Sequence, residues 1–327
     1  MKKIKLIIPI VLSVVFVATF VLLIVVHSNR RDDGKINVVC TIFPEYDWVR
    51  EVIGDENENY NLSLIVKNGT DMHSYQITVQ DMAKISTADL FIYVGGESDA
   101  WVSDAIKNVT NKNFRSLNLL EILGENAKEE ELKEGMEEHE HEEDEGDEEE
   151  VEYDEHVWLS LKNAKLFVNE IAKTLGEIDE ANKDIFLTNA ENYNTKLTVL
   201  DSEYKLAADN GATKTFIFGD RFPFRYLLDD YDIDYFAAFL GCSAETEATP
   251  ATITYLAGKV DELEIKVILK IDSSDGKIAK AIKDITINKD QRVLTLNSLQ
   301  STTISSGETY LSIMTSNLEV FKEALKK

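Results

Sequence analysis

Five histidines occur in the 327 residues, and their positions decide which could do chemistry. His27 stands at the edge of an apolar run near the amino terminus, while His139 and His141 sit among glutamates. That leaves His73 and His156, each preceded two residues earlier by an aspartate, Asp71 and Asp154. A carboxylate on one ring nitrogen fixes the tautomer and presents the other lone pair, which is what a divalent metal ion requires of an imidazole. Both histidines fall where a strand-like segment hands over to a helical one. In open α/β sheets such carboxyl-end loops are where ligands bind. Taken singly, either residue reads more readily as a hydrogen-bonded surface or core histidine.

Two sets of elements must hold these loops. In the first half, Ile36–Phe43, Leu62–Val66 and Leu90–Val94 are short runs rich in β-branched and aromatic residues, separated by helical patterns near Asp47–Ile53 and Val79–Ser86. The second half repeats the alternation with Thr215–Phe218, Tyr235–Phe239, Val267–Ile271 and Val293–Leu296. Helices are expected there near Phe224–Leu228, Thr252–Leu263, Lys277–Ile285 and Tyr310–Leu325. Buried strands alternating with helices predict α/β lobes, each with a mostly parallel sheet flanked by helices. Between the lobes, Ala181–Asp209 lacks proline and spaces Ile185, Ala190, Tyr193, Leu197, Leu200 and Tyr204 helically. Asp179 can cap its start and Asn210-Gly211 can stop it. A helix of that length would be about 43 Å long, a strut joining the lobes. The expected divisions are an anchor and linker over 1–35, a first lobe over 36–178, the linking helix over 179–210 and a second lobe over 211–327.

The charge is uneven. There are 34 Lys+Arg against 60 Asp+Glu, a formal net charge of −26, and the segment Glu125–Glu155 carries 17 of those negative charges. This balance excludes a nucleic-acid binder, which needs cations for phosphates. Like charges this dense with so little apolar surface predict a mobile acidic insert over 125–153, whose His139 and His141 could attract divalent cations loosely. At the amino terminus, Ile4–Val26 is apolar apart from Lys5, Ser13 and Thr19, and Lys2 and Lys3 precede it. At about 1.5 Å per residue it can cross a hydrocarbon layer of about 30 Å as a helix. No small-residue cleavage site follows and no cysteine closes the run, so an uncleaved transmembrane anchor with the body outside the cytoplasm is expected rather than a cleaved signal. Cys40 and Cys242 allow at most one disulfide; two buried, unbonded thiols are the favoured reading.

Several motifs then carry a resemblance. Gly69-Thr70-Asp71-Met72-His73-Ser74-Tyr75, Ala88-Asp89-Leu90, Gly95-Gly96-Glu97 with Trp101, and Asp154-Glu155-His156-Val157-Trp158-Leu159 resemble the paired motifs of zinc/manganese solute-binding proteins of ABC transporters. An acidic, histidine-containing insert before the second motif is also similar to the zinc-type members. The resemblance implies two α/β lobes joined by one rigid helix, with the metal held in the cleft between them by His73 and His156. The family's third histidine would fall at Gly219, and Asp220, one residue on, is the candidate substitute. Its fourth ligand, a carboxylate after the third strand of the second lobe, implies Asp272. Asp275 is expected to be a helix cap and Glu247 an outer carboxylate near the site. Two imidazoles with carboxylates suit Zn²⁺ and also Mn²⁺, with Zn²⁺ preferred.

The function so implied is capture of Zn²⁺ by a membrane-tethered, monomeric binding protein outside the cytoplasm. It would deliver the ion to an ABC permease with a separate ATPase subunit. The chain has no G-x-x-x-x-G-K-[ST] motif and offers one apolar span, so it cannot itself pump. The competing readings are a Mn²⁺-specific protein of the same type, a metal-dependent hydrolase, and a surface metal sensor or adhesin. The absence of H-E-x-x-H and of any marked general base disfavours the hydrolase, so no enzyme is expected.

Overall fold

The computed structural model describes residues 34–67, 69–136, 152–243 and 247–327. The expected anchor over Ile4–Val26 and the pair His139 and His141 lie outside these residues. No helix among the described residues is long and apolar enough to cross a membrane.

Among the described residues, eight strands form two four-stranded sheets. In the first lobe, β1 (Ile36–Cys40), β2 (Tyr60–Leu64), β3 (Leu90–Tyr93) and β4 (Arg115–Asn118) pair in the order β2-β1-β3-β4. In the second, β5 (Thr215–Phe222), β6 (Asp234–Leu240), β7 (Val267–Ile271) and β8 (Arg292–Leu296) pair as β6-β5-β7-β8. Every pairing is parallel, and the sheets have the same topology. Parallel strands must be buried on both faces, which is why β3 and β7 read as nearly unbroken apolar runs. The strand that the apolar pattern did not reveal is β4, whose Arg-Ser-Leu-Asn sequence lies at the edge of its sheet and is half exposed.

The linking helix spans Lys183–Asp209, 27 residues and about 40 Å. Phe186, Ala190, Tyr193, Leu197, Leu200, Tyr204 and Ala208 form its buried face at spacings of three and four. Ile185, expected on that face, is instead exposed, because the phase of the stripe is set by Phe186. Asp179 does not cap the helix. Its carboxylate accepts from Tyr60 Oη at 2.9 Å and from Asn182 Nδ2 at 2.8 Å, tying the preceding turn to β2. The helix packs beside Leu161–Ile178, and its buried face joins residues of both lobes in one continuous apolar core. Truncating Leu197 in that core would cost roughly 2–5 kcal/mol. Two further bonds fasten the lobes near their junction: Tyr310 N donates to Asp47 Oδ2 at 2.8 Å and Trp158 Nε1 to Ser298 O at 2.9 Å.

The acidic segment departs from expectation at its flanks. Residues 125–136 and 152–153, expected to be mobile, are tied down by backbone pairing and by contacts with the second lobe, although many of their side chains are exposed. Glu129 and Tyr153 form an antiparallel bridge, Glu130 N donates to Glu152 O, and Asp154 N to Lys128 O, both at 2.8 Å. From there the chain crosses onto the second lobe, where Lys128 N donates to Tyr226 Oη at 2.8 Å and Lys128 Nζ meets Asp229 at 2.9 Å. Lys133 pairs with Asp234. Glu131 adds to this attachment, its Oε2 accepting from Tyr235 Oη at 3.3 Å and lying 3.3 Å from Arg225 Nη1.

Candidate metal centre

His73 lies in a single 3-10 turn, Met72–Ser74, entered through Asp71, whose carboxylate accepts from the His73 backbone N–H at 3.1 Å. Asp71 does not reach the ring as expected. Its other oxygen is 2.5 Å from Arg221 of the second lobe. Burial opposes the Asp71 charge, but the Arg221 guanidinium and the neighbouring His73 hold its carboxyl below the usual range. Ser98 orients the imidazole instead, its Oγ standing 2.7 Å from Nδ1. The Gly95-Gly96 motif makes this possible. Both glycines have positive φ, and a Cβ on Gly96 would come 2.3 Å from Glu155 Oε1, so only glycine lets the loop wrap that carboxylate. Glu155 Oε1 accepts from Ser98 N at 2.9 Å. Its Oε2 is buried without a hydrogen-bond partner, 3.7 Å from His73 Nδ1, and burial raises the carboxyl pKa.

His156 is fully buried at the head of the 3-10 turn Val157–Leu159. Here the aspartate two residues earlier does hold the ring. Asp154 Oδ1 accepts from the His156 backbone N–H at 2.9 Å and from Nδ1 at 3.0 Å. That leaves Nε2 with the free lone pair. Trp158 packs against the imidazole with centroids 5.2 Å apart.

The two rings converge. His73 Nε2 and His156 Nε2 are 3.1 Å apart although 83 residues separate them along the chain. Burial, then the adjacent His156 and the nearby Arg221, lower the His73 pKa, with Asp71 opposing; the ring is kept neutral and its lone pair available. A third donor belongs to the same group: Cys242 Sγ and one nitrogen of each histidine all lie within 4.8 Å of one another. Cys242 sits just past β6. The thiol is not in a disulfide, nor is that of Cys40, which is buried in the first lobe. Burial, and the Glu155, Glu130 and Asp154 carboxylates around it, push the Cys242 thiol pKa up.

Gln300, from the loop after β8, completes the group. Its amide nitrogen stands 3.0 Å from His73 Nε2 and 2.5 Å from His156 Nε2, between the rings where a shared cation would lie. Because amide oxygen and nitrogen are interchangeable in shape, turning the amide presents Oε1 to the same point.

Neither expected aspartate joins this group. Asp272 accepts from Ser298 N at 2.7 Å, Ser298 Oγ at 2.8 Å and Ser301 Oγ at 2.7 Å, so its oxygens are spent tying the loops after β7 and β8 together. Asp220 accepts from Arg221 N at 2.9 Å and Ile271 N at 3.3 Å, and burial raises its pKa. A register shift between Phe218 and Arg221 turns the strand there and aims Asp220 at β7. Gly219, where the third histidine was sought, lies inside β5. A Cβ there would come 2.4 Å from Ala279 Cα, so no side chain fits and none could reach the rings. Arg221 pairs with Asp71, not with Asp220. Asp275 is not the cap expected: Gly276 holds the N-cap position of the Lys277–Ile285 helix, and Asp275, one residue before it, accepts from Lys277 N at 3.0 Å; Glu247 is exposed.

Comparison with known proteins agrees with this architecture. The sequence profile described as ZnuA, "Zinc-uptake complex component A periplasmic", matches residues 38–324. The zinc-binding lipoprotein AdcA of Streptococcus pneumoniae is 30% identical over 322 residues, covering 95% of this chain and 60% of that protein. The chain thus spans about 60% of the length of that relative. The high-affinity zinc uptake system protein ZnuA of Bacillus subtilis is 30% identical over 317 residues, 94% of this chain and 96% of the relative. Among solved structures, the Zn(II)-bound ZnuA-like domain of S. pneumoniae AdcA superposes with a TM-score of 0.69 at 26% identity, covering 89% of this chain and 99% of the domain. With two like parallel-sheet lobes, paired histidine motifs that meet between them and a family profile running through nearly the whole body, the chain belongs to the ZnuA family of zinc-uptake solute-binding components.

Proposed function

We propose that this chain captures Zn²⁺ between its two lobes and hands it to an ABC-type permease whose pore and ATPase are separate chains. The observation that carries the reading is the 3.1 Å approach of His73 Nε2 to His156 Nε2 in a buried crevice. Two imidazoles, one oriented by Asp154 and one by Ser98, make a preorganised pair of nitrogen donors. Zn²⁺ is cargo here, and the chain's work is binding and release. Both histidines stand on the first lobe and the loops that face them, carrying Arg221, Cys242 and Gln300, on the second, so separating the lobes would open the site to the permease.

Asp272 and Asp220 act from outside the coordination sphere in this reading. Asp272 braces Ser298, whose Oγ lies 3.3 Å from Gln300 Oε1, and Asp220 secures the turn that delivers Arg221 to Asp71. We further propose that Ile4–Val26 tethers the body at the outer face of the membrane. The relatives described as lipoproteins support an attached body, though this chain offers an apolar span rather than a lipidated cysteine. Zn²⁺ titration against a competing chelator tests the site. One tight ion per chain, lost in His73→Ala and in His156→Ala, is expected; unaltered affinity in both variants would remove the proposed donors.

A further inference from the structure

We infer that Cys242 is the third protein donor to the ion, as a thiolate, and that it is the residue that sets this site to prefer Zn²⁺ over Mn²⁺. The inference rests on the zinc-capture reading and adds to it the donor chemistry and the selectivity.

The geometry is close to that of an ion-loaded site. For a tetrahedral ion with Zn–N of about 2.05 Å and Zn–S of about 2.3 Å, donor atoms lie about 3.3 Å apart for two nitrogens and about 3.5 Å for nitrogen and sulfur. The two Nε2 atoms are 3.1 Å apart, and the sulfur and a nitrogen of each ring fall within 4.8 Å of one another. To close the coordination sphere, the Gln300 amide would have to withdraw from between the rings and the sulfur, within 4.8 Å of a nitrogen of each ring, would have to come to about 3.5 Å.

The local sequence explains how the sulfur gets there. Gly241 precedes Cys242 at the end of β6, and a Cβ on Gly241 would meet His156 Cε1 and Phe222 O, both at 2.8 Å. The missing side chain lets the turn lie directly against the imidazole and carries the next residue to the ring nitrogens. Glu130, from the flank of the acidic segment, is a hydrogen-bonding neighbour of the Cys242 thiol. No side chain at Gly219 could take the third position, as shown by its contact with Ala279, and Asp220 is turned toward β7.

Selectivity follows from softness. Thiolate and imidazole favour Zn²⁺ and other borderline or soft ions, whereas Mn²⁺ prefers carboxylate, carbonyl and water oxygens. Of the carboxylates near this site, Asp154, Asp272 and Asp71 are engaged by the His156 ring, Ser298 and Arg221, while Glu155 gives Oε1 to Ser98 N and keeps Oε2 on the Nδ1 side of His73, away from the Nε2 atoms that converge. On binding, the thiol proton leaves to solvent as the S–metal bond forms, so the ion exchanges for one proton at this residue.

Co²⁺ reports the bond directly, because a thiolate ligand adds an intense near-ultraviolet charge-transfer band that nitrogen and oxygen ligands do not. The full chain, reduced and stripped of metal, is titrated with Co²⁺ and, separately, with Zn²⁺ and Mn²⁺ in competition. Expected are the band at one equivalent in the parent and in Cys40→Ser, and its loss in Cys242→Ser with Co²⁺ still bound. In that variant the Zn²⁺-over-Mn²⁺ preference should fall by roughly tenfold or more. Co²⁺ bound by the parent without the band, or a band that survives Cys242→Ser, overturns the inference while leaving the histidine site standing. Failure of the parent to bind Co²⁺ or Zn²⁺ at all overturns both.

Discussion

Asp154→Asn tests the site through a residue that cannot touch the ion. Asp154 is buried, and a single oxygen, Oδ1, accepts from both the His156 backbone N–H at 2.9 Å and Nδ1 at 3.0 Å. With the proton kept on Nδ1, Nε2 faces His73 as a pure acceptor. An asparagine that keeps its oxygen toward the ring preserves the geometry but loses the charge that strengthens the bond and raises the basicity of Nε2. An asparagine that turns its amide to the ring forces Nδ1 to accept, which puts the proton on Nε2 and removes the ligand until the tautomer reverses. These two cases bracket an affinity loss of about 10- to 100-fold, the range for such supporting carboxylates. In free energy that is about 1.4–2.7 kcal/mol. Zn²⁺ affinity is measured by chelator competition, with circular dichroism confirming that the fold is retained. A correctly folded variant whose affinity equals the parent's would show that His156 is not presented to the ion through Nε2, and the proposed centre would fall.

Other consequences follow from particular contacts. Gly241→Ala places a methyl 2.8 Å from both His156 Cε1 and the Phe222 carbonyl, an overpacking worth about 1–3 kcal/mol, and should weaken Zn²⁺ binding and lower the melting temperature together. Asp272→Ala leaves Ser298 N–H and two hydroxyls without their acceptor; it should lower stability in the metal-free protein, and Asp272→Asn should restore part of both stability and affinity, as a metal-ligating carboxylate would not allow. Burial, then the nearby Asp99, raise the Glu45 pKa to about 8, so the folded state holds a proton there that the unfolded chain releases near 4.5. The stabilisation is full below the unfolded value and is lost as pH rises toward about 8, at up to about 1.4 kcal/mol per pH unit; Glu45→Gln should flatten this slope in thermal melts of the metal-free protein. Deleting residues 137–151 should remove weak extra ions from a Zn²⁺ titration and leave the tight site, since the donors and the tied-down flanks of the segment are retained.

Much of the architecture was legible along the chain because its signals are local. Alternating apolar runs and helical stripes mark seven of the eight strands and the linking helix, since a parallel strand buried on both faces has little choice of composition. The missed strand, β4, is an edge whose Arg-Ser-Leu-Asn carries no such pressure. The aspartate two residues before each histidine was equally visible, and in both cases it does build the turn, because the bond from its carboxylate to the histidine N–H spans only two residues. What each aspartate does for the ring was not legible. It depends on whether an arginine 150 positions away claims the carboxylate, as Arg221 does for Asp71.

The side chains that face the two histidines were decided in three dimensions. Asp220 and Asp272 occupied plausible places in the sequence, yet a register shift in β5 and the serines of the loop after β8 engage them elsewhere. Cys242 and Gln300 had no motif to announce them. They arrive because two sheets of identical topology set the carboxyl ends of their strands against one another, so loops distant in sequence share one crevice. The chain by itself determines its lobes, its strut and the turns that hold each imidazole. Which side chains face those imidazoles is a matter of how the loops of one lobe land on the other, and no local pattern encodes that.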